Sequence, residues 1–306
     1  MDPQLGADDT AAARYRVVFG NLRNEASSEG AVSKLAWVVL LSSALWAGGA
    51  SGEEATKLRE EIAVPADYQG RQIQLTGWFE KPAGTGPFPV VIALHSCSGY
   101  YANMFGGALP LWVPFLQGQG YATFKFDSFT ARGYSEVCAS NAVTAADRAA
   151  DVLAAAALLA GRPDVRPDRI AVIGWSHGGG TAVYVARDHT ELRPLRAQLA
   201  AHGGRLAASI GLYPGCGNPD GSPVIVPLLA LSGALDDWTP AARCVALASM
   251  PANRLMTAQV YPGAYHAFDI PGMRTQYKLG HMLAYDAAAN ADAHARVQAF
   301  LYQCLH

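Results

Sequence analysis

Three side chains in this sequence have the types and the order needed to transfer an acyl group: Ser176, Asp236 and His266. Ser176 sits in Gly174-Trp175-Ser176-His177-Gly178, a Gly-x-Ser-x-Gly pattern. Between a strand and a helix, that pattern makes a tight turn that lifts the hydroxyl clear of the sheet. A serine hydroxyl is a weak nucleophile at its own pKa. It needs a neutral imidazole to take its proton, and the imidazole needs a carboxylate to fix its tautomer. His266, in Tyr261-Pro262-Gly263-Ala264-Tyr265-His266-Ala267-Phe268, can supply the imidazole. Asp236, three residues past Gly233, can supply the carboxylate, and Asp237 reads as solvated or capping. His189, His202, His281, His294 and His306 lack metal-ligand spacing and are assigned to surfaces or packing. The reaction calls for neither a metal nor an organic cofactor.

These residues work together only if each leaves a strand at the same sheet edge. The apolar runs support that arrangement. Residues 170–173 read as a buried parallel strand feeding the elbow, and 181–186 as the helix after it. Residues 206–213, 227–233 and 256–261 read as later strands, the last two leading to Asp236 and His266. Residues 90–94 and 121–127 read as earlier strands, and 58–79 as two antiparallel strands joined near Asp67-Tyr68-Gln69-Gly70. Ala- and Leu-rich 147–159 reads as a helix, as do 240–249 and 284–302. Residues 189–206 read as a short polar connection, which leaves the site open and shallow. Strands alternating with helices predict an α/β fold with a mostly parallel sheet covered on both faces.

Two backbone N–H groups are expected to face the developing oxyanion. One belongs to His177, directly after the nucleophile, and the other to Cys97, in the loop after residues 90–94. His95 either orients that loop or fills the space beneath it.

The chain has 306 residues, is 51% hydrophobic and 16% charged, and carries a net charge of −2. That supports one large core and offers no basic groove for nucleic acid. The front of the chain differs in character. Residues 1–31 are polar, and Lys34 precedes an apolar stretch from Leu35 to Ala47 and small residues to Gly52. The layout is that of a signal peptide displaced from the N-terminus, with Val32 as the expected true start. The stretch is short for a membrane span of about 20 residues, so no stable anchor is expected. The domain reading is therefore an extension with a leader over 1–52 and one catalytic domain over 53–306. A secreted or periplasmic location follows from it.

From about residue 60 onward the sequence resembles the dienelactone hydrolase family of α/β-hydrolases. The resemblance rests on His95-Ser96-Cys97-Ser98-Gly99, Gly174 to Gly179, Gly233-Ala234-Leu235-Asp236-Asp237-Trp238-Thr239-Pro240 and Tyr261 to Phe268. It implies the α/β-hydrolase fold and a small ester or lactone as substrate. The founding members use a Cys nucleophile and a Glu where this chain has Ser176 and Ser96. They also grip a substrate carboxylate with two arginines. Arg132, in Thr130-Ala131-Arg132, resembles the first, while Ile270 occupies the position of the second. Arg132 and Trp175 are the candidate substrate-binding residues.

There are five cysteines. Cys97 and Cys138 lie on neighbouring loops at the active edge, and Cys216 and Cys244 flank the acid, so the expected bonds are Cys97–Cys138 and Cys216–Cys244. Cys304 is left free. The sequence reading is a serine hydrolase acting on small esters or lactones. An acyltransferase, a peptidase and a silent binding protein on the same scaffold are the alternatives. Oligomeric state is not legible.

Overall fold

The computed structural model describes residues 59–140, 142–217 and 220–306. The leader-like stretch, the Val32 start and the boundary at residue 52 lie outside the described residues. Alternating apolar residues build the first hairpin, β1 (Arg59–Tyr68) with β2 (Arg71–Glu80). Its two-residue turn, Gln69-Gly70, has φ of 54° and 74°, the left-handed pair that matches strand twist.

The chain then runs β3 (Phe88–Leu94), α1 (Tyr100–Gly106), α2 (Leu109–Gly118), β4 (Ala122–Phe126), α3 (Ala145–Ala160) and β5 (Val165–Trp175). It continues through α4 (His177–Val185), α5 (Arg193–Ala201), β6 (Leu206–Leu212), β7 (Leu228–Gly233), α6 (Ala241–Ala248) and β8 (Met256–Tyr261). A small hairpin, β9 (Gln276–Lys278) and β10 (His281–Leu283), precedes the closing α7 (Ala287–Leu305). The main sheet has the order β1-β2-β4-β3-β5-β6-β7-β8. β2 meets β4 antiparallel, and from β4 to β8 every pairing is parallel. Fold class and mostly parallel sheet agree with the sequence expectation.

Every residue of β3, β4, β6 and β7 is buried, as a sheet covered on both faces requires. Val90, Ile92 and Leu94 face a core built with α3, α4, α5 and α6. Val91 and Ala93 face the other core, filled by α2 and α7. Thr144 begins α3 with a reciprocal cap: its hydroxyl accepts the Asp147 N–H, and Asp147 accepts the Thr144 N–H.

Three features go beyond the sequence reading. The 189–206 connection contains a 3-10 turn at Thr190–Leu192 and then α5. Helix α2 carries two prolines: Pro110 occupies the first turn, where an N–H has no helical partner anyway, and Pro114 lies inside the helix. The β9–β10 hairpin was also unforeseen; three-residue strands carry too little pattern to read.

Candidate active site

Ser176 takes φ 54° and ψ −114° at the junction of β5 and α4. Only small neighbours allow this turn. A Cβ on Gly174 would stand 2.2 Å from the Gly178 carbonyl oxygen, and one on Gly178 would stand 2.4 Å from that of Leu94. The elbow and the loop after β3 therefore touch backbone to backbone.

The Ser176 Oγ lies 3.0 Å from His266 Nε2, and His266 Nδ1 lies 2.8 Å from Asp236 Oδ2. With Nδ1–H donating to the carboxylate, Nε2 is left to accept the serine proton. Asp236 also accepts the N–H groups of Trp238 and Thr239, at 3.0 and 2.9 Å, and the Thr239 hydroxyl at 2.8 Å. Burial pushes the Asp236 carboxyl up, but its bonds to His266 and Thr239 outweigh that and hold it below the usual range. Asp237 is exposed and pairs instead with His281, at 3.2 Å.

His177 opens α4, so its N–H has no intrahelical carbonyl to meet. Both His177 and Cys97 line clefts that include Ser176. One residue that the sequence reading did not single out joins the two segments. Arg148, fully buried on α3, donates from Nη2 to the His95 carbonyl at 2.9 Å and from Nε to the Ser128 hydroxyl at 3.1 Å. Its Nη1 lies 2.9 Å from His177 Nδ1, which must accept. Burial, then the Arg148 charge, pushes the His177 imidazole down to about 3, so it stays neutral. Burial also lowers Arg148, to about 9, which leaves it charged at neutral pH. His95 is an orienting residue: its Nε2 accepts the Ser128 N–H at 3.1 Å, and Nδ1 bonds the Ser96 carbonyl at 2.8 Å.

Two expected substrate-binding residues do something else. Arg132 is buried, and its Nη1 and Nη2 bond both oxygens of Asp151, at 2.9 and 2.8 Å. A guanidinium so paired is withdrawn from the clefts, where it is not a lining residue. Trp175 is also buried; its indole N–H donates to Asp269 at 2.9 Å. Trp112 and Tyr213 donate to the same carboxylate, at 2.7 and 2.9 Å. Asp269 thus ties the His266 loop to the elbow strand, and burial raises its pKa despite three donors. Asp269→Leu would orphan those donors. Unfolding in urea is expected to show a loss of roughly 3 kcal/mol or more, at about 1–3 kcal/mol per buried orphan. An unchanged midpoint and slope would remove Asp269 as a strut.

Disulfides join Cys97 to Cys138 and Cys216 to Cys244, and Cys304 is free. The first closes a loop across 41 residues and holds the segment after β3 that carries Cys97. Cys138→Ser is expected to lower stability by about 2–4 kcal/mol, read by denaturant unfolding with and without reductant. If the reductant destabilises this variant as much as the parent, the cross-link contributes nothing. Among the described residues, no His, Cys, Asp or Glu cluster could hold a metal ion, and no helix is long and apolar enough to cross a membrane.

A parallel sheet with a strained serine elbow, and acid and base beyond β7 and β8, defines the α/β-hydrolase class. The model of the dienelactone hydrolase family matches residues 75–305, and the chain belongs to that family. It is an enzyme of the carboxylic ester hydrolase type. No curated protein compared with it matches. Solved structures share the fold at low identity. A dienelactone hydrolase-like promiscuous phosphotriesterase from metagenomic libraries is 19% identical, with TM-score 0.61, over 81% of this chain and 99% of its own. The dienelactone hydrolase from Anabaena variabilis is 17% identical, with TM-score 0.55, over 81% and 99%. An esterase from Pyrococcus furiosus is 14% identical, with TM-score 0.56, over 85% and 98%.

Proposed function

We propose that this chain hydrolyses small carboxylic esters or lactones through an acyl-enzyme on Ser176. The observation that carries the reading is the unbroken chain of bonds from Ser176 through His266 to Asp236, at 3.0 and 2.8 Å. His266 takes the hydroxyl proton as Oγ attacks the carbonyl carbon, and the C–O π pair moves to oxygen. The N–H groups of Cys97 and His177 stabilise that oxyanion. Collapse of the tetrahedral adduct expels the alkoxide, which takes the proton from the His266 imidazolium. Water then repeats the sequence: His266 removes its proton, hydroxide adds to the acyl carbon, and Ser176 leaves with the proton returned. Asp236 stays a carboxylate throughout. Two disulfides near the site fit an oxidising compartment, in keeping with a secreted or periplasmic enzyme.

A fluorophosphonate probe tests the nucleophile. Labelling is expected at Ser176, read by peptide mass spectrometry, and absent in Ser176→Ala. Labelling at another serine, or none in a chain that turns over an ester, would displace Ser176.

A further inference from the structure

Two clefts meet at Ser176, and they differ in which catalytic histidine neighbour they expose. Ser176, Cys97 and Trp238 line both. The first, about 280 Å³, includes His266 in its wall; the second, about 520 Å³, includes His177 and not His266. In the acylation step proposed above, on which this inference rests, the departing alkoxide must take its proton from His266 Nε2. A leaving oxygen can do so only on the side that His266 faces. The acyl group must then extend the other way, past His177.

The two walls also differ in chemistry. The second cleft is lined by Val137, Ala145 and the Cys97–Cys138 disulfide, and Gly180, Gly215 and Gly217 leave it wide. Arg243, the charged residue in its wall, is exposed. The first cleft holds Ser96, Ser98, Asn103, Gln276 and Lys278 beside Ile270 and Met273. Lys278 donates one N–H to the Ser98 hydroxyl at 2.7 Å. An ammonium has three donors, so two remain for ligand oxygens. Among the described residues, no acidic side chain lines this cleft.

We infer that the alcohol half of the substrate occupies the first cleft and the acyl half the second, so the preferred class is an apolar acid esterified to a compact hydroxylated alcohol. Ala145 limits acyl size, and Lys278 selects hydroxyl groups on the alcohol.

Four esters test this: the propyl and glycerol monoesters of acetic and hexanoic acid, followed by proton release. In the wild type, kcat/KM is expected to favour hexanoyl over acetyl, and glycerol over propyl, each by about tenfold or more, from four buried methylenes and from charge-assisted hydrogen bonds. Ala145→Phe is expected to reverse the acyl ratio while keeping the alcohol ratio. Lys278→Met is expected to bring the alcohol ratio near one while keeping the acyl ratio, and Lys278→Arg to restore it. Ratios need only the folded fraction, and Ala145→Leu gives a milder version of the first change. The crossed pattern, with Ala145→Phe shifting alcohol preference and Lys278→Met shifting acyl preference, would overturn the assignment. Wild-type ratios near one would overturn it equally. Ser176→Ala separates the two levels. If it hydrolyses all four esters as the parent does, the triad reading falls and this inference with it. If it is inactive and the ratios are flat, only the cleft assignment falls.

Discussion

A chain carrying Ser176→Ala, His266→Ala or both is expected to lose about a millionfold in kcat, to the same depth in all three cases. The two groups form one device. In the proposed mechanism the hydroxyl attacks only if Nε2, 3.0 Å away, removes its proton, and without Ser176 no acyl-enzyme forms for the imidazole to act on in the later steps. Removing the second partner therefore costs nothing more. Asp236→Asn is a separate case. The backbone N–H groups of Trp238 and Thr239, which Oδ1 accepts, hold the amide oxygen on their side, so the NH2 faces Nδ1 and the tautomer that the carboxylate favours at 2.8 Å is lost. A fall of about 10⁴-fold in kcat is expected. Initial rates on a short acyl ester check all four variants, with burst titration counting active sites. Losses that add up in the double variant would mean that serine and histidine act independently, contrary to the geometry. What survives should be hydrolysis driven by the oxyanion donors and by binding alone.

The second large effect is expected from a residue that touches no substrate. Arg148→Met should lower kcat about a hundredfold with little change in KM. Arg148 is a positioning residue: it holds the His95 carbonyl and the His177 ring, so it fixes the two segments that carry the proposed oxyanion donors, Cys97 and His177. Losing one oxyanion donor costs about 10²–10³-fold, and a displaced donor is partly lost. Arg148→Lys retains the charge but cannot make three divergent bonds, so it should not rescue activity. Stability falls too, because the Ser128 hydroxyl, the His95 carbonyl and His177 Nδ1 lose their buried partner. Two readouts separate positioning from general weakening. Affinity for a trifluoromethyl ketone, which forms a tetrahedral adduct, should fall in step with kcat, while affinity for a non-reacting substrate mimic holds. The pH profile should also change. The Arg148 charge is one of two pressures that keep His177 neutral. Without it the His177 pKa rises, and protonation at acid pH should add a new fall in kcat below neutrality. An unchanged acid limb and an unchanged analogue affinity would leave Arg148 a structural residue only.

Arg132 and Arg148 show where sequence reading stops and why. Arg132 lies in a loop at the active edge, where a cation suits an anionic substrate group, whereas Arg148 lies within the Ala- and Leu-rich helix read over 147–159. In the folded chain Arg132 meets Asp151, and that choice of partner is made by the packing of α3 against the loop after β4. A signal was present for Arg148 and for Asp151, the partner of Arg132. On α3 the buried face runs through Arg148, Asp151, Val152, Ala155, Ala156 and Leu159, helical spacings on which two charges occupy core positions. Charges on a core face must be paired with polar groups from elsewhere, and this marks them as parts of a buried network. Trp175 follows the same logic: on the strand just before the elbow it points into the core, where its N–H needs the acceptor that Asp269 provides.

The alternation of strands and helices, the strained elbow at Ser176, and the placing of Asp236 and His266 just beyond strands were all legible along the chain. These are short-range properties. Apolar periodicity sets the burial of an element, and small residues set where a turn can tighten. Tertiary structure alone decided which polar groups satisfy one another: Arg132 with Asp151, Arg148 with His95 and His177, and Asp269 with two tryptophans and a tyrosine. It also decided that two clefts of different character open from one serine. The physical reason is that a buried donor must find an acceptor, but nothing local to either residue specifies which. The pairing is fixed only when helices, loops and sheet edge close around the same volume.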